Sequence, residues 1–290
     1  MMFLRSETGV TSKVKTAWPG EILRELLDRT AILDQPAVCD PLSARLAREA
    51  GYEAVNLGGY AIGAHLPLTS ELSLDDIEQA ARAVIRACGL PLLLDADIGW
   101  GGIEDLPAAV VRLESAGVAA IQLASQHVPA QMPFSPAAER ERAHADLTDR
   151  VRTARAARKH VLVMTRCAIP PGGSYGEAVG QARDLLESGA DAILLQAGRD
   201  ELRQFARDLP GATLICAGSP APGCGQAIPA RLLEQWGYSA LSRQYYRCYC
   251  ARMQRPSGAN FRVLARPGRT GTARPGPSDT KCREDLERKQ

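Results

Sequence analysis

Apolar and polar residues along this chain fall into a phrase that occurs four times. Ala47-Arg48-Glu49-Ala50-Gly51-Tyr52-Glu53-Ala54-Val55-Asn56-Leu57 is echoed by Leu113-Glu114-Ser115-Ala116-Gly117-Val118-Ala119-Ala120-Ile121-Gln122-Leu123. It recurs as Leu186-Glu187-Ser188-Gly189-Ala190-Asp191-Ala192-Ile193-Leu194-Leu195, and more faintly as Leu233-Glu234-Gln235-Trp236-Gly237-Tyr238-Ser239-Ala240-Leu241. Each copy closes an amphipathic stretch, sets a glycine where a helix takes a left-handed C-cap, and runs on into a short apolar segment. Each copy therefore reads as a joint between a helix and a strand. The pattern predicts strands at Pro36–Cys39, Ala54–Leu57, Pro91–Leu94, Ala119–Leu123, His160–Met164, Ala192–Leu195, Ala212–Cys216 and Ser239–Ser242. Helical stretches between them include Leu42–Ala50, Leu74–Cys88, Asp105–Ala116, Pro136–Arg158, Tyr175–Ser188 and Asp200–Asp208. Strands alternating with helices in this way predict an α/β chain, a (β/α)8 barrel of the TIM type, with a doubly wound open sheet as the alternative.

Composition sets the limits of that picture. The 290 residues are 45% hydrophobic and 23% charged, enough apolar content for one barrel-sized core. The net charge is +2, with both signs interspersed, so bulk charge points to no nucleic-acid partner. No apolar run approaches a membrane span, and Met1 to Trp18 lacks the continuous apolar segment of a signal peptide. A cytoplasmic protein with neither membrane nor nucleic-acid partner is the expectation. Its predicted divisions are an N-terminal extension at 1–20, the barrel at 21–254 and a disordered basic tail at 255–290, where Pro256, Gly258, Pro267, Gly268, Pro275 and Pro277 punctuate a stretch poor in apolar residues. The eight cysteines contain no C-x-x-C pair, and Cys248 and Cys250 have no histidine beside them. Neither a disulfide framework nor a zinc site is indicated; the cysteines read mostly as small buried hydrophobes in a reduced compartment.

One stretch carries the chemistry. Leu90-Pro91-Leu92-Leu93-Leu94-Asp95-Ala96-Asp97-Ile98-Gly99-Trp100-Gly101-Gly102 runs from a buried strand into two carboxylates and then a glycine-rich loop. In a barrel the ends of the strands hold the active site, and that is where Asp95 and Asp97 fall. Two carboxylates so close need a cation or protons to neutralise them, and a hard divalent metal with oxygen ligands is the natural partner. Gly99, Gly101 and Gly102 let backbone approach a ligand. The plain alternative is one solvated aspartate and one helix-capping aspartate.

Cys39-Asp40-Pro41-Leu42-Ser43-Ala44-Arg45-Leu46-Ala47, Gly58-Gly59-Tyr60-Ala61 and Asp95-Ala96-Asp97-Ile98-Gly99-Trp100-Gly101 together resemble the isocitrate lyase and phosphoenolpyruvate mutase superfamily, nearest its 2-methylisocitrate lyase branch. The likeness runs from about Leu23 to Tyr246. It implies a magnesium (or manganese) ion held by Asp95 and Asp97 and a substrate carboxylate bound by the Gly58 and Gly59 backbone; Tyr60, beside them, either donates its hydroxyl to the substrate or simply packs. It further implies cleavage or formation of a carbon–carbon bond next to a 2-oxo acid through an enolate, on a small 2-oxo or 2-hydroxy carboxylic acid. Members commonly form homo-oligomers, tetramers that exchange their last helix.

The chain departs from that pattern at its acids. The H-x-E-D-Q segment is Gln122-Leu123-Ala124-Ser125-Gln126, and the lyase loop K-[KR]-C-G-H falls near Ala130-Gln131-Met132-Pro133-Phe134. A-R-T-D becomes Met164-Thr165-Arg166-Cys167, and the glutamate after the sixth strand becomes Gln196. Moving an arginine by one position along a strand turns it to the other face, so Arg166 reaches the mouth only where the strand bulges. Three residues are candidate catalysts. Cys167 at the end of the fifth strand either replaces the missing loop acid or packs as an inert thiol; His127 after the fourth strand is an acid or base, or a solvated loop histidine; Arg166 is the third. The leading expectation is a metal-dependent lyase-like enzyme. A catalytically silent relative that binds a ligand or partner, or a phosphonate-acting mutase or hydrolase, is the alternative.

Overall fold

The computed structural model describes residues 17–65, 72–95, 103–124, 144–169, 174–218 and 228–243. The predicted tail at 255–290 lies outside them. Within these residues the chain runs α1 (Pro19–Leu27), β1 (Leu33–Val38), α2 (Pro41–Glu49), β2 (Val55–Gly58), α3 (Gly59–His65), α4 (Leu74–Cys88), β3 (Leu92–Asp95), α5 (Leu106–Ser115) and β4 (Ala120–Ala124). It continues through α6 (His144–Ala157), β5 (Leu162–Ala168), α7 (Tyr175–Glu187), β6 (Ala192–Gln196), α8 (Arg199–Asp208), β7 (Leu214–Ala217), α9 (Ala230–Trp236) and β8 (Ala240–Arg243). All eight strands are parallel and the sheet closes on itself, β1 pairing with β8 from Leu33↔Ala240 to Pro36↔Arg243. That closure decides for the barrel over the open sheet. No helix among the described residues is long and apolar enough to cross a membrane.

The four glycines of the recurring phrase do what their position requires. Gly51, Gly117, Gly189 and Gly237 have φ of 82°, 93°, 103° and 90°, a region that costs glycine nothing and other residues strain. Two apolar layers follow from the period of two along each strand. Leu57, Leu92, Leu94, Ile121, Val163, Ile193, Leu195 and Leu241 face out against the helices. Leu33, Leu93, Ala120, Leu162, Met164, Leu194, Ile215 and Ala240 face in and fill the lumen.

The helix α1 closes the N-terminal end. Its Leu23, Leu26 and Leu27 join the lumen layer, and Gly20 lies so close to the starts of β4 and β5 that an added Cβ would sit 2.0 Å from the His160 carbonyl oxygen. Two strands are longer than their apolar pattern. β1 begins at Leu33 and carries Pro36 inside it, although proline is commonest at a strand's first residue. β5 runs four residues past Met164 to Ala168, which carries Arg166 toward the C-terminal rim.

Candidate active site

Inward positions near the ends of the strands define the rim. Ala37, Gly58 and Ala217 contribute no more than a methyl group there, so among the described residues the charge and polarity come from Asp95, Arg166, Gln122, Gln196 and Ser242. Asp95 ends β3, with Gly58 of β2 and Gln122 of β4 as its register neighbours. Its side chain is 15% exposed, and Oδ2 stands 3.8 Å from Nη1 of Arg166, whose side chain is 25% exposed. Oδ1 is buried with no hydrogen-bond partner among the described residues.

Sequence reasoning expected a bulge wherever Arg166 reached the mouth, and the structure corrects this. From Ala120↔Leu162 to Ala124↔Arg166 the β4–β5 register runs one to one, and Arg166 also pairs with Leu194 of the lumen layer on β6. The arginine is inward because Leu162 and Met164 are inward; an unbroken period of two delivers it. Its shift leaves Thr165 facing the helices, beside Leu123 and Ile193.

Cys167 takes the opposite face for the same reason. It is 4% exposed, packs in the outer apolar layer, and its Sγ donates to the Ala178 carbonyl of α7 at 3.5 Å. Burial pushes its thiol up to about 11. A protonated thiol sealed under a helix cannot serve the lumen, so Cys167 packs as a buried thiol and does not replace the missing loop acid. Gly58 and Gly59 lie beside Asp95: a Cβ on Gly59 would sit 3.6 Å from the Asp95 carbonyl oxygen, and one on Gly58 would meet no described atom within 4 Å. Of Tyr60 the structure describes the backbone, as the second residue of α3. Asp97 and His127 lie outside the described residues.

Level with the rim and just below it is a set of neutral polar groups that motif reading passed over. Gln122 is fully buried, and both its amide atoms lack a partner among the described residues; Gln35 of β1 is the same. Asn56 of β2 donates through Nδ2 to Oγ of Ser242 on β8 at 2.8 Å. The signal was available in each strand's alternation, since all four share the inward phase of their strands. Asp95 Oδ1 and Gln122 Oε1 are thus buried oxygens on adjacent strands, in register and unpartnered among the described residues. Carboxylate and amide oxygens are the donors a hard divalent cation takes, so the residues present fit magnesium or manganese. They fit it with less negative charge than an all-carboxylate set, because Arg166 stands on the same aspartate.

A closed parallel β/α barrel with a carboxylate at the end of its third strand and glycines at the end of its second defines the class of protein. The chain belongs to the phosphoenolpyruvate phosphomutase family, whose profile matches residues 23–244. It is 32% identical over 200 residues to the 2-methylisocitrate lyase of Aeropyrum pernix, covering 65% of this chain and 62% of that one. The chain therefore spans about three fifths of that relative's length. The oxaloacetate decarboxylase of Paraburkholderia xenovorans is 30% identical over 224 residues, 74% of either chain. Among solved structures, phosphonopyruvate hydrolase in complex with oxalate and magnesium superposes with a TM-score of 0.67 at 24% identity, covering 82% of this chain and 84% of that one, a likeness of fold.

Proposed function

We propose that the protein is a magnesium- or manganese-dependent lyase that breaks or forms a carbon–carbon bond next to the carbonyl of a small 2-oxo or 2-hydroxy carboxylic acid, by way of an enolate. The observation that carries this reading is Asp95 Oδ1, a carboxylate oxygen buried on the rim of the barrel with no hydrogen-bond partner among the described residues. When bound, the cation supplies Lewis-acid stabilisation to the negative charge that develops on the substrate. Asp95, whose Oδ1 is the unpartnered oxygen, would hold it, and Asp97, two residues on, is the second ligand this reading assigns. The Gly58–Gly59 backbone receives a substrate carboxylate where no side chain intrudes. Gln122 offers an amide donor from the neighbouring strand, and Arg166 lends a second positive charge to an anionic ligand. With Cys167 turned away, His127 is the residue assigned to proton transfer. The names of the two relatives support the reading, since a lyase of 2-methylisocitrate and a decarboxylase of oxaloacetate both cleave small carboxylic acids.

The test is product analysis by proton NMR of the full chain with magnesium and, in turn, 2-methylisocitrate and oxaloacetate. A metal-dependent 2-oxo acid product, abolished by a chelator and by Asp95→Asn, is the expected result. Turnover of neither acid defeats the reading in favour of a catalytically silent relative. Phosphorus NMR with phosphonopyruvate would reveal phosphonate chemistry instead.

A further inference from the structure

The deepest polar groups of the lumen carry an inference that stands apart from the lyase reading. We propose that the barrel core holds an ordered internal water, bound between the side-chain amides of Gln35 on β1 and Gln122 on β4.

Register places the two amides. Inward side chains of such a barrel stack in layers of four drawn from alternate strands. The strand pairings put Gln35, Leu93, Met164 and Ile215 in one layer, and Asn56, Gln122, Leu194 and Ser242 in the next layer toward the C-terminal end. Asp95 and Arg166 belong to the layer after that, so the Gln35 amide starts below the proposed metal site and not within it. Around the closed sheet β4 lies three strands on from β1. The interior of an eight-stranded barrel is just wide enough for side chains to fill, so two long side chains entering from these walls end near the axis. Over Gln35 the strands on either side of β1 are joined, Asn56 Nδ2 donating to Ser242 Oγ at 2.8 Å.

Chemistry then names the occupant. Both glutamines are fully buried, and all four of their amide atoms lack a partner among the described residues. An amide taken out of water without hydrogen bonds costs free energy, and native interiors keep few such groups. The remaining large members of the two layers, Leu93, Met164, Leu194 and Ile215, have no N–H or O–H to give. No charged side chain belongs to either layer, so the bound molecule is neutral. It must also be small and able both to donate and to accept. Water meets all three demands: it donates to the carbonyl oxygen of one glutamine and accepts from the amide nitrogen of the other. Ser242, the register partner of Gln35, offers its hydroxyl as a third contact, the number usual for buried water. Room comes from small neighbours where branched side chains usually fill a barrel: Ala37 follows Gln35 on its strand, Ala120 precedes Gln122 on its own, and Ala54 and Ala240 lie on the strands flanking β1. The Gln122 nitrogen carries two protons, so one is left for a ligand above.

The experiment is a double-mutant cycle on the full chain with Gln35→Met and Gln122→Met, in which an unbranched apolar side chain replaces each amide, read by thermal melts. Each single change takes one amide from the water and leaves the other glutamine without its bridge, so each midpoint falls by about 2–4 °C. The double variant needs no water and melts above either single variant. Single variants that melt at or above the wild type, or two losses that simply add, overturn the proposal, because each amide then behaves as an independent group. A crystal structure of the wild type at a resolution that shows ordered solvent decides the matter even where a variant fails to fold. One water peak within hydrogen-bond distance of both amides is expected; amides bonded to each other or to the chain, with no water between them, overturn the proposal. Neither result touches the lyase reading, which stands or falls on turnover.

Discussion

The two ends of the barrel treat their polar groups in opposite ways. At the N-terminal end Asp191 and Glu114, beside the α1 plug, have their partners. Asp191 receives Arg24 at 2.5 Å, Arg158 through both of its terminal nitrogens, and the Val163 backbone N–H at 2.8 Å. Glu114 Oε2 accepts the N–H groups of Lys159, His160 and Val161 at 2.9, 3.0 and 3.0 Å. Trp18 stacks on His160 with ring centroids 4.5 Å apart. At the C-terminal end Asp95 has a long ion pair and an oxygen with no hydrogen bond among the described residues, and Gln122 has two amide atoms in the same condition. An unpartnered buried polar group costs free energy, and native structures keep few of them. The closed end spends its polar groups on holding the strands in register. The open end carries polar groups that no described residue satisfies, in keeping with a barrel that puts stability at one end and chemistry at the other.

Breaking the closed end is expected to give the largest effect. Asp191→Ala strands Arg158, whose side chain is only 14% exposed, and should cost about 3–5 kcal/mol in denaturant unfolding while leaving oxalate binding intact. Asp95→Asn at the open end should do the converse: turnover falls about 10²–10³-fold, with the thermal midpoint nearly unchanged. Gly20→Ala drives a methyl into the His160 carbonyl and should cost about 1–3 kcal/mol, again without changing ligand affinity.

Glu114→Gln sharpens the comparison through pH. Burial pushes the Glu114 carboxyl up, but the three backbone N–H groups outweigh it and hold the carboxyl below its ordinary value of 4.5. A lowered carboxyl stabilises the fold in full above that ordinary value and loses the contribution as pH falls through the folded-state value. The wild type should therefore exceed Glu114→Gln by about 1 kcal/mol at neutral pH, and the gap should close in acid melts. The smallest effect is reserved for Cys167→Ala, which faces the helices: product formation should stay within about twofold of wild type. A hundredfold loss would return the thiol to the site.

Much of this division was legible along the chain. Gly51, Gly117, Gly189 and Gly237 mark helix ends because a left-handed residue after a helix is a local demand, met by one amino acid type. Asp95 was legible because an apolar strand that stops on a carboxylate leaves few other readings. Arg166 and Cys167 were harder. The apolar run of β5 stops at Met164, so the strand's last four residues, which carry both side chains, look like loop. Pro36 hid the first half of β1 in the same way. Gln35, Asn56, Gln122 and Ser242 are ordinary polar residues, and only their burial singles them out.

The amino-acid order by itself determined the alternation of strands and helices, their joints and the acidic end of β3, because each rests on a period or a cap that spans a few neighbouring residues. Closure of β8 onto β1, the meeting of Arg166 with Asp95 across β4, and the turning of Cys167 under α7 were decided only by the tertiary structure. Those depend on the register between strands far apart in the chain, and one step of register exchanges the lumen for the helix layer.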